Sequence, residues 1–441
     1  MTRGRMLQLV HVSAAVAFFF GLKIVVGLVL VSASAHQLSV EKFVTFSQLF
    51  MSLALLSTVS GGAVQGGLTR QVAIANGNLH LERRATAAAL SIWVGFATVL
   101  MTAVMLFNSP LSMLLVDNAS LTHALPLVTL TAVAGGGGSI LSAVLTGRRR
   151  VLLSLTLQGV GLLVSGAAAY WRLLSGDPIG AVLAYAAGPI ATAVLVLFVT
   201  RDVLPIRARA FTGISREIRI LMAYSASGLA ISVVTPATLF GLRHAYRDAF
   251  GPELLGYWLA ANRVSDVTSQ LLAIYMGQVF FPRMAAASNI AAAQSLVRQT
   301  LVLGTVVMGT GWLIFNVGAS FFVDTFFSSQ FRPAIPFIGG YLLGDALRVS
   351  TTMTSSTIAA RGRPWLCVLT EVLVAALIST YILSLIAFRR PDAPWLGYVL
   401  AQGTMTVLVF LLGRRLLHAD MHRQKALTVS ASISVQGSEA G

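Results

Sequence analysis

Charge is scarce in this chain: only 10% of its 441 residues are Asp, Glu, Lys or Arg, against roughly 25% in an ordinary soluble domain. Acidic residues are scarcer still, with 15 against 31 Lys and Arg. The single cysteine, Cys367, excludes an intramolecular disulfide and a cysteine metal cluster. Histidine is also sparse, and the one helically spaced pair, His418 and His422, sits among arginines and reads as a solvated face rather than a metal site. No metal or cofactor is expected. Every segment between apolar runs is short, the longest lying around 201–217, so there is no room for a soluble domain.

What remains is apolar sequence, 56% hydrophobic with a mean hydropathy of +0.81. That composition indicates an all-α polytopic membrane protein. Windows of about 20 apolar residues give about twelve transmembrane helices, at 6–35, 43–75, 85–107, 121–146, 151–173, 178–200, 218–241, 253–283, 295–318, 333–360, 365–388 and 394–417. Residues 1–35 have the outline of a secretory signal, with Arg3 and Arg5 leading and Ala33-Ser34-Ala35 resembling a cleavage site. Lys23 interrupts its apolar stretch, and cleavage would leave an odd number of spans, so the segment is read as the first span.

The net charge of +16 would suggest nucleic acid in a soluble protein, but here it alternates with topology. With a cytoplasmic N-terminus, 21 Lys and Arg fall in inside segments and 7 outside, the latter being Lys42, Arg172, Arg243, Arg247, Arg332, Arg389 and Arg390. That is the positive-inside pattern, and it predicts a multi-pass membrane protein with both termini cytoplasmic and no nucleic-acid partner. The tail 418–441 lacks helical periodicity and reads as disordered.

The arginines that close helices repeat. Arg70 and Arg148 are separated by the same 78 residues as Arg283 and Arg361, and one shift of 213 maps the first pair on the second. Two pseudo-symmetric six-helix lobes follow, at 1–213 and 214–417, a parallel repeat with a cavity between them near the bilayer midplane.

Six ionisable groups sit inside the spans: Lys23, Arg263, Asp266, Asp345, Arg348 and Glu371. Each costs about 2.5–3.5 kcal/mol at a helix centre on insertion scales, so they must be paired or face water. Asn262, Arg263, Asp266 and Gln270 share one helical face. Asp345 and Arg348 are three residues apart and precede a hydroxyl-rich run from Ser350 to Thr357. At 1.5 Å per residue, Lys23, Arg263 and Asp345 lie about 15–18 Å from the outer ends of their spans, the depth expected of one polar layer. Two readings stand. Either Arg263 with Asp266 and Asp345 with Arg348 satisfy only one another, or they line a substrate path. Lys23 and Glu371, lacking a partner in sequence, either snorkel or join that path. Gln65 and Arg70 at the inner end of span 2 are further cavity candidates, while Gly61-Gly62, Gly66-Gly67 and Gly135 to Gly138 read as helix-packing sites.

Span 2, with Phe46-Ser47-Gln48-Leu49 and Gly61 through Ala73, and span 8, with Gly256-Tyr257-Trp258, Asn262-Arg263-Val264-Ser265-Asp266 and Phe281-Pro282-Arg283, resemble Wzx-type flippases of lipid-linked oligosaccharides. The likeness is to the enterobacterial common antigen (lipid III) and O-antigen unit branch of the multidrug/oligosaccharidyl-lipid/polysaccharide exporter superfamily. The resemblance implies two lobes around a cationic cavity, alternately open to each side, carrying an undecaprenyl-diphosphate-linked glycan outward. It implies partners too: the bilayer, a polysaccharide polymerase and a chain-length regulator. Lys23, Gln65, Arg70, Asn262, Arg263, Gln270 and Arg348 would bind the substrate, arginine forks suiting a diphosphate, and Asp266, Asp345 and Glu371 would couple transport to an ion.

A multidrug or cation antiporter is the nearest rival, though it calls for an acidic, aromatic-lined cavity, whereas the six deep charges balance. A glycan polymerase or ligase would need a large outer loop or a positioned acid/base pair; none is evident, and no catalytic residue is expected. Reporter fusions should find residues 36–42, 108–120 and 319–332 periplasmic and 201–217 cytoplasmic; a periplasmic C-terminus would refute this topology.

Overall fold

The computed structural model describes residues 3–61, 64–75, 77–116, 122–148, 150–202, 211–276, 280, 283–284, 290–360 and 364–411. The tail 418–441 with its two histidines, Arg361 and Arg363 of the repeat, and Phe281-Pro282 lie outside them. The chain is an all-α, multi-pass membrane protein. Its long helices are α1 (Arg3–Gln37), α2 (Val40–Ser60), α4 (Leu79–Leu106), α6 (Ala124–Gly147), α7 (Val151–Leu174), α8 (Pro178–Thr200), α9 (Ser215–Phe250) and α10 (Pro252–Tyr275), followed by α11 (Ile290–Val317), α13 (Ile335–Ala360), α14 (Pro364–Ala387) and α15 (Ala393–Leu411). Shorter pieces are α3 (Gln65–Ala75), α5 (Asn108–Val116), α12 (Ala319–Phe326) and a 3₁₀ turn at Ser329–Ala334. Eight of these helices are long and apolar enough to cross a bilayer on composition alone. Helices α10 and α13 are as long but carry Arg263 with Asp266 and Asp345 with Arg348.

Two sequence expectations need correction. Span 2 is not one helix: α2 ends at Ser60 and α3 begins at Gln65. At Gly61 a side chain would meet the Trp93 ring 3.0 Å away, so the break brings backbone against indole. Span 7 does not end at residue 241 either, because α9 runs on to Phe250. Arg243 therefore lies within the helix, 1% exposed, instead of in an outer loop. Its Nη1 donates to Met51 Sδ at 2.9 Å, and its guanidinium lies over the Phe240 and Trp258 rings at 5.6 and 5.8 Å.

The chain divides into two compact units, one of Met1–Leu259 with Ser320–Pro333, the other of Ala260–Ala319 with Ala334–Gly441. The first is built on α6 and α8, which pack with α2, α4 and α7. Lipid gives helices no hydrophobic reason to associate, so close backbone approach through small residues takes over. Gly135 faces the Pro189 ring of α8 at 3.1 Å, and Gly138 faces Pro189 O and Ala193 Cβ at 2.7 and 2.8 Å, each measured from where a Cβ would stand. Between α7 and α8, Gly161 and Gly188 face each other's carbonyls at 2.8 and 2.9 Å. Apolar packing fills in around them, with Leu30, Phe46, Leu49, Leu53, Val128 and Val182 in one cluster. In the second unit α11 packs along α13, with Gly304 against Val349, and Leu272, Phe280 and Met353 join the same core.

Gly138→Val should therefore destabilise the fold by about 1–3 kcal/mol, the usual cost of overpacking, seen as earlier thermal unfolding in detergent. Gly95→Ala, with nothing within 4 Å of the added methyl, should leave unfolding unchanged or slightly delayed.

Candidate functional site

The second unit gathers most of the intramembrane ionisable groups. Helix α10 presents two polar faces, because residues advance about 100° each along an α-helix. Ser265, Thr268 and Ser269 form one face. Arg263, Asp266 and Gln270 form a stripe on roughly the opposite side, with buried Asn262 beside it.

The hydroxyl face bonds to α13. Asp345, 2% exposed, accepts at Oδ1 from Ser265 Oγ at 2.9 Å and from Tyr398 Oη of α15 at 2.8 Å. Its Oδ2 accepts from Thr268 Oγ1 at 2.5 Å. Arg348 Nη1 donates to Ser269 Oγ at 2.7 Å. The Tyr398 ring stacks on Tyr341, centroids 4.7 Å apart at 14°, which fixes the phenol that reaches Asp345. Asp345 and Arg348, three residues apart on α13, each bond to hydroxyls of α10, and they remain coupled electrostatically with Tyr398 interacting with both. Three donors on one carboxylate are what a buried ionised Asp requires.

The charged face keeps the pair expected of it. Arg263 Nη1 lies 3.3 Å from Asp266 Oδ2, with the arginine 8% exposed and the carboxylate 49% exposed. A guanidinium presents a planar fork of N–H donors, the geometry that carboxylates and phosphates match. Gln270 is half-buried on the same stripe, and Glu371 is half-buried on α14.

The remaining sequence candidates belong to the first unit. Lys23 is exposed on α1, Gln65 is half-buried at the first position of α3, and Arg70 is exposed further along α3. Several hydroxyls of the α13 run are joined to neighbouring helices. Ser350 bonds with Thr406 at 2.8 Å, Thr351 with Gln402 at 3.4 Å, and Ser355 with Thr370 at 3.1 Å. The lone thiol, Cys367, donates to Ser355 O at 3.2 Å.

Sequence reasoning missed Tyr398, Ser265, Thr268 and Ser269 as partners. A signal existed: the three α10 hydroxyls share one face at spacings of three and four. Tyr398 carries none, since only the fold brings α15 to Asp345.

A second charged cluster, outside the spans, joins helix ends of the first unit. Arg148 holds Glu82 at 2.6 Å and Asp202 at 2.7 Å, Arg83 Nε donates to Asp202 O at 2.9 Å, and Arg84 holds Glu217 at 2.9 Å. The bond from Arg148 holds the Asp202 carboxyl below its usual range, and the bond from Arg84 does the same for Glu217. A lowered folded-state pKa gives stability that is present above the unfolded value, about 3.9 for Asp and 4.3 for Glu, and is lost as pH falls through the folded one. Thermal stability should accordingly hold from pH 7 to 5 and drop on further acidification, and Asp202→Asn with Glu217→Gln should start lower at pH 7 and lose less.

No protein-family model matches the chain. Over 329 residues, 73% of this chain and 77% of the relative, it is 22% identical to the lipid III flippase of Escherichia coli (strain K12). Among solved structures it is similar to a multidrug resistance MATE family transporter of the MOP superfamily in an inward-facing conformation, with a TM-score of 0.74 and 14% identity covering 91% of this chain and 94% of the other. It is also similar to the lipid II flippase MurJ in an inward closed conformation, with a TM-score of 0.71 and 12% identity covering 92% and 87%. These likenesses place the chain in the helical transporter fold that the two structures share.

Proposed function

We propose that the protein is a flippase that moves an undecaprenyl-diphosphate-linked oligosaccharide from the cytoplasmic to the periplasmic leaflet of the bacterial inner membrane, by alternating access and without catalysing a reaction. In this reading the chain works as two six-helix lobes, 1–213 and 214–417, with both termini cytoplasmic. The glycan would feed cell-surface polysaccharide synthesis of the O-antigen or enterobacterial common antigen kind, alongside a polymerase and a chain-length regulator.

The observation that carries this reading is the charged stripe of α10, where Arg263 is buried beside the half-exposed Asp266. Its chemistry suits a diphosphate, which takes two parallel N–H bonds from a guanidinium fork. Identity with a lipid III flippase over most of the chain supports the same substrate class. Arg348, Lys23, Gln65, Arg70, Asn262 and Gln270 complete the proposed substrate contacts.

Energy coupling falls to the carboxylates Asp266, Asp345 and Glu371. Asp345 is the first choice, because it is caged by Ser265, Thr268 and Tyr398 while Arg348 reaches the same face of α10. Protonating it turns one accepting oxygen into a donor, so one of the three hydroxyls has to reverse its role. That reversal alters the bonds that tie α10 to α13 and links proton uptake to the helix that carries Arg263.

Arg263→Ala should abolish glycan export while the protein still accumulates in the membrane, and Arg263→Lys should keep only part of the activity, having lost the fork. Full export by Arg263→Ala would remove the assignment, and resistance to cationic drugs lost on deletion would favour an antiporter instead. In vesicles with an imposed pH gradient, Asp345→Asn should lose the response to the gradient. A response equal to wild type in both Asp345→Asn and Asp266→Asn would leave these carboxylates as structural partners only.

A further inference from the structure

Ser320–Pro333 stands apart from its place in the chain. It follows α11 and precedes α13, both of the second unit, yet it packs as part of the first. Its anchors are two rings, Phe327 and Phe331, 1% and 0% exposed. Phe331 meets Phe43 of α2 edge-on at 4.9 Å and Tyr257 of α10 at 6.2 Å, so one side chain bridges the first turn of α2 and the beginning of α10. Gly256 next to that contact lets α10 approach α2 closely, its missing Cβ only 2.5 Å from Val40.

The polar side of the segment is equally specific. Ser328 Oγ donates to Ala35 O at 3.3 Å, and Gln330 Nε2 donates to Ala35 O at 3.0 Å and Leu38 O at 3.4 Å. The last carbonyls of a helix have no partner within it, and here the end of α1 takes donors from a stretch almost 300 residues further on. Arg332 closes the segment on itself through both oxygens of Asp324, at 3.0 and 2.7 Å. The result is a preformed loop that holds the α1–α2 turn and the beginning of α10 by insertion and hydrogen bonds alone, while both of its chain ends continue into the other unit.

Resting on the transporter reading above, we infer that Ser320–Pro333 is a detachable strap. Docked, it covers the α1–α2 end of the first unit; withdrawn, it opens that end during transport. Its hold on the first unit is made of buried rings and hydrogen bonds, which can be released without breaking a covalent bond. The single native thiol is buried in another helix, at Cys367, which makes the idea testable with introduced cysteines.

The full chain carrying Cys367→Ala, Ala35→Cys and Ser328→Cys, reconstituted with an undecaprenyl-diphosphate-linked oligosaccharide, should cross-link on mild oxidation and lose at least about tenfold in translocation, converted from a barrier increase of about 1.4 kcal/mol or more. Dithiothreitol should restore it, and neither single cysteine variant should respond to oxidant. In a second measurement, Ala35→Cys, at a site 0% exposed beneath the strap, should react with a membrane-impermeant maleimide faster during turnover than at rest. Three results would overturn the inference: full translocation by the cross-linked protein, failure of the pair to cross-link in a folded and active protein, or equal protection of Ala35→Cys with and without substrate. An absence of translocation by the unmodified protein would instead count against the functional reading.

Discussion

Hydrocarbon offers no water to a polar group, so each charge that enters the membrane must bring its partners with it. Most of this structure can be derived from that constraint. Asp345 is surrounded by hydroxyls from α10 and α15, and Arg263 takes the carboxylate three residues along its own helix. Where there are no charges, the same medium removes the usual reason for helices to meet, and glycines 135, 138, 161 and 188 supply contact in its place.

Arginine appears here in two energetic settings. Arg148 is held by two carboxylates at a helix end, Glu82 and Asp202, an arrangement that ties α4, the end of α6 and the end of α8 together. Arg263 is buried, and the carboxylate it meets, Asp266, is half-exposed. The first setting fastens helix ends to one another, and the second sets a buried charge beside a carboxylate open to its surroundings.

Much of this was legible in the sequence. Apolar run length located the long helices because helix length in a bilayer is set by its thickness. The α10 stripe followed from spacing alone. The break after α2 is not legible there, because Gly61 reads as a packing residue inside a continuous helix and in fact also ends one. Arg243 reads as an outer-loop residue because arginine commonly ends a span, and that rule fails where Met51, Phe240 and Trp258 enclose the side chain. Tyr398 could not be found at all, since its importance lies in a contact across 53 residues of sequence.

The two polar faces of α10 share one backbone, and this ties chain length to chemistry. Deleting or inserting one residue between Pro252 and Asn262 would turn everything beyond it by about 100°, carrying Ser265 and Thr268 away from Asp345 and swinging Arg263 toward a different neighbour. Changes of three or four residues, close to one full turn, would restore the orientation while moving both faces along the axis by about 5 Å. Hydroxyl face and charged face are therefore in phase with each other and with Trp258 at the same time, so this stretch tolerates replacement of side chains far better than any change in their number.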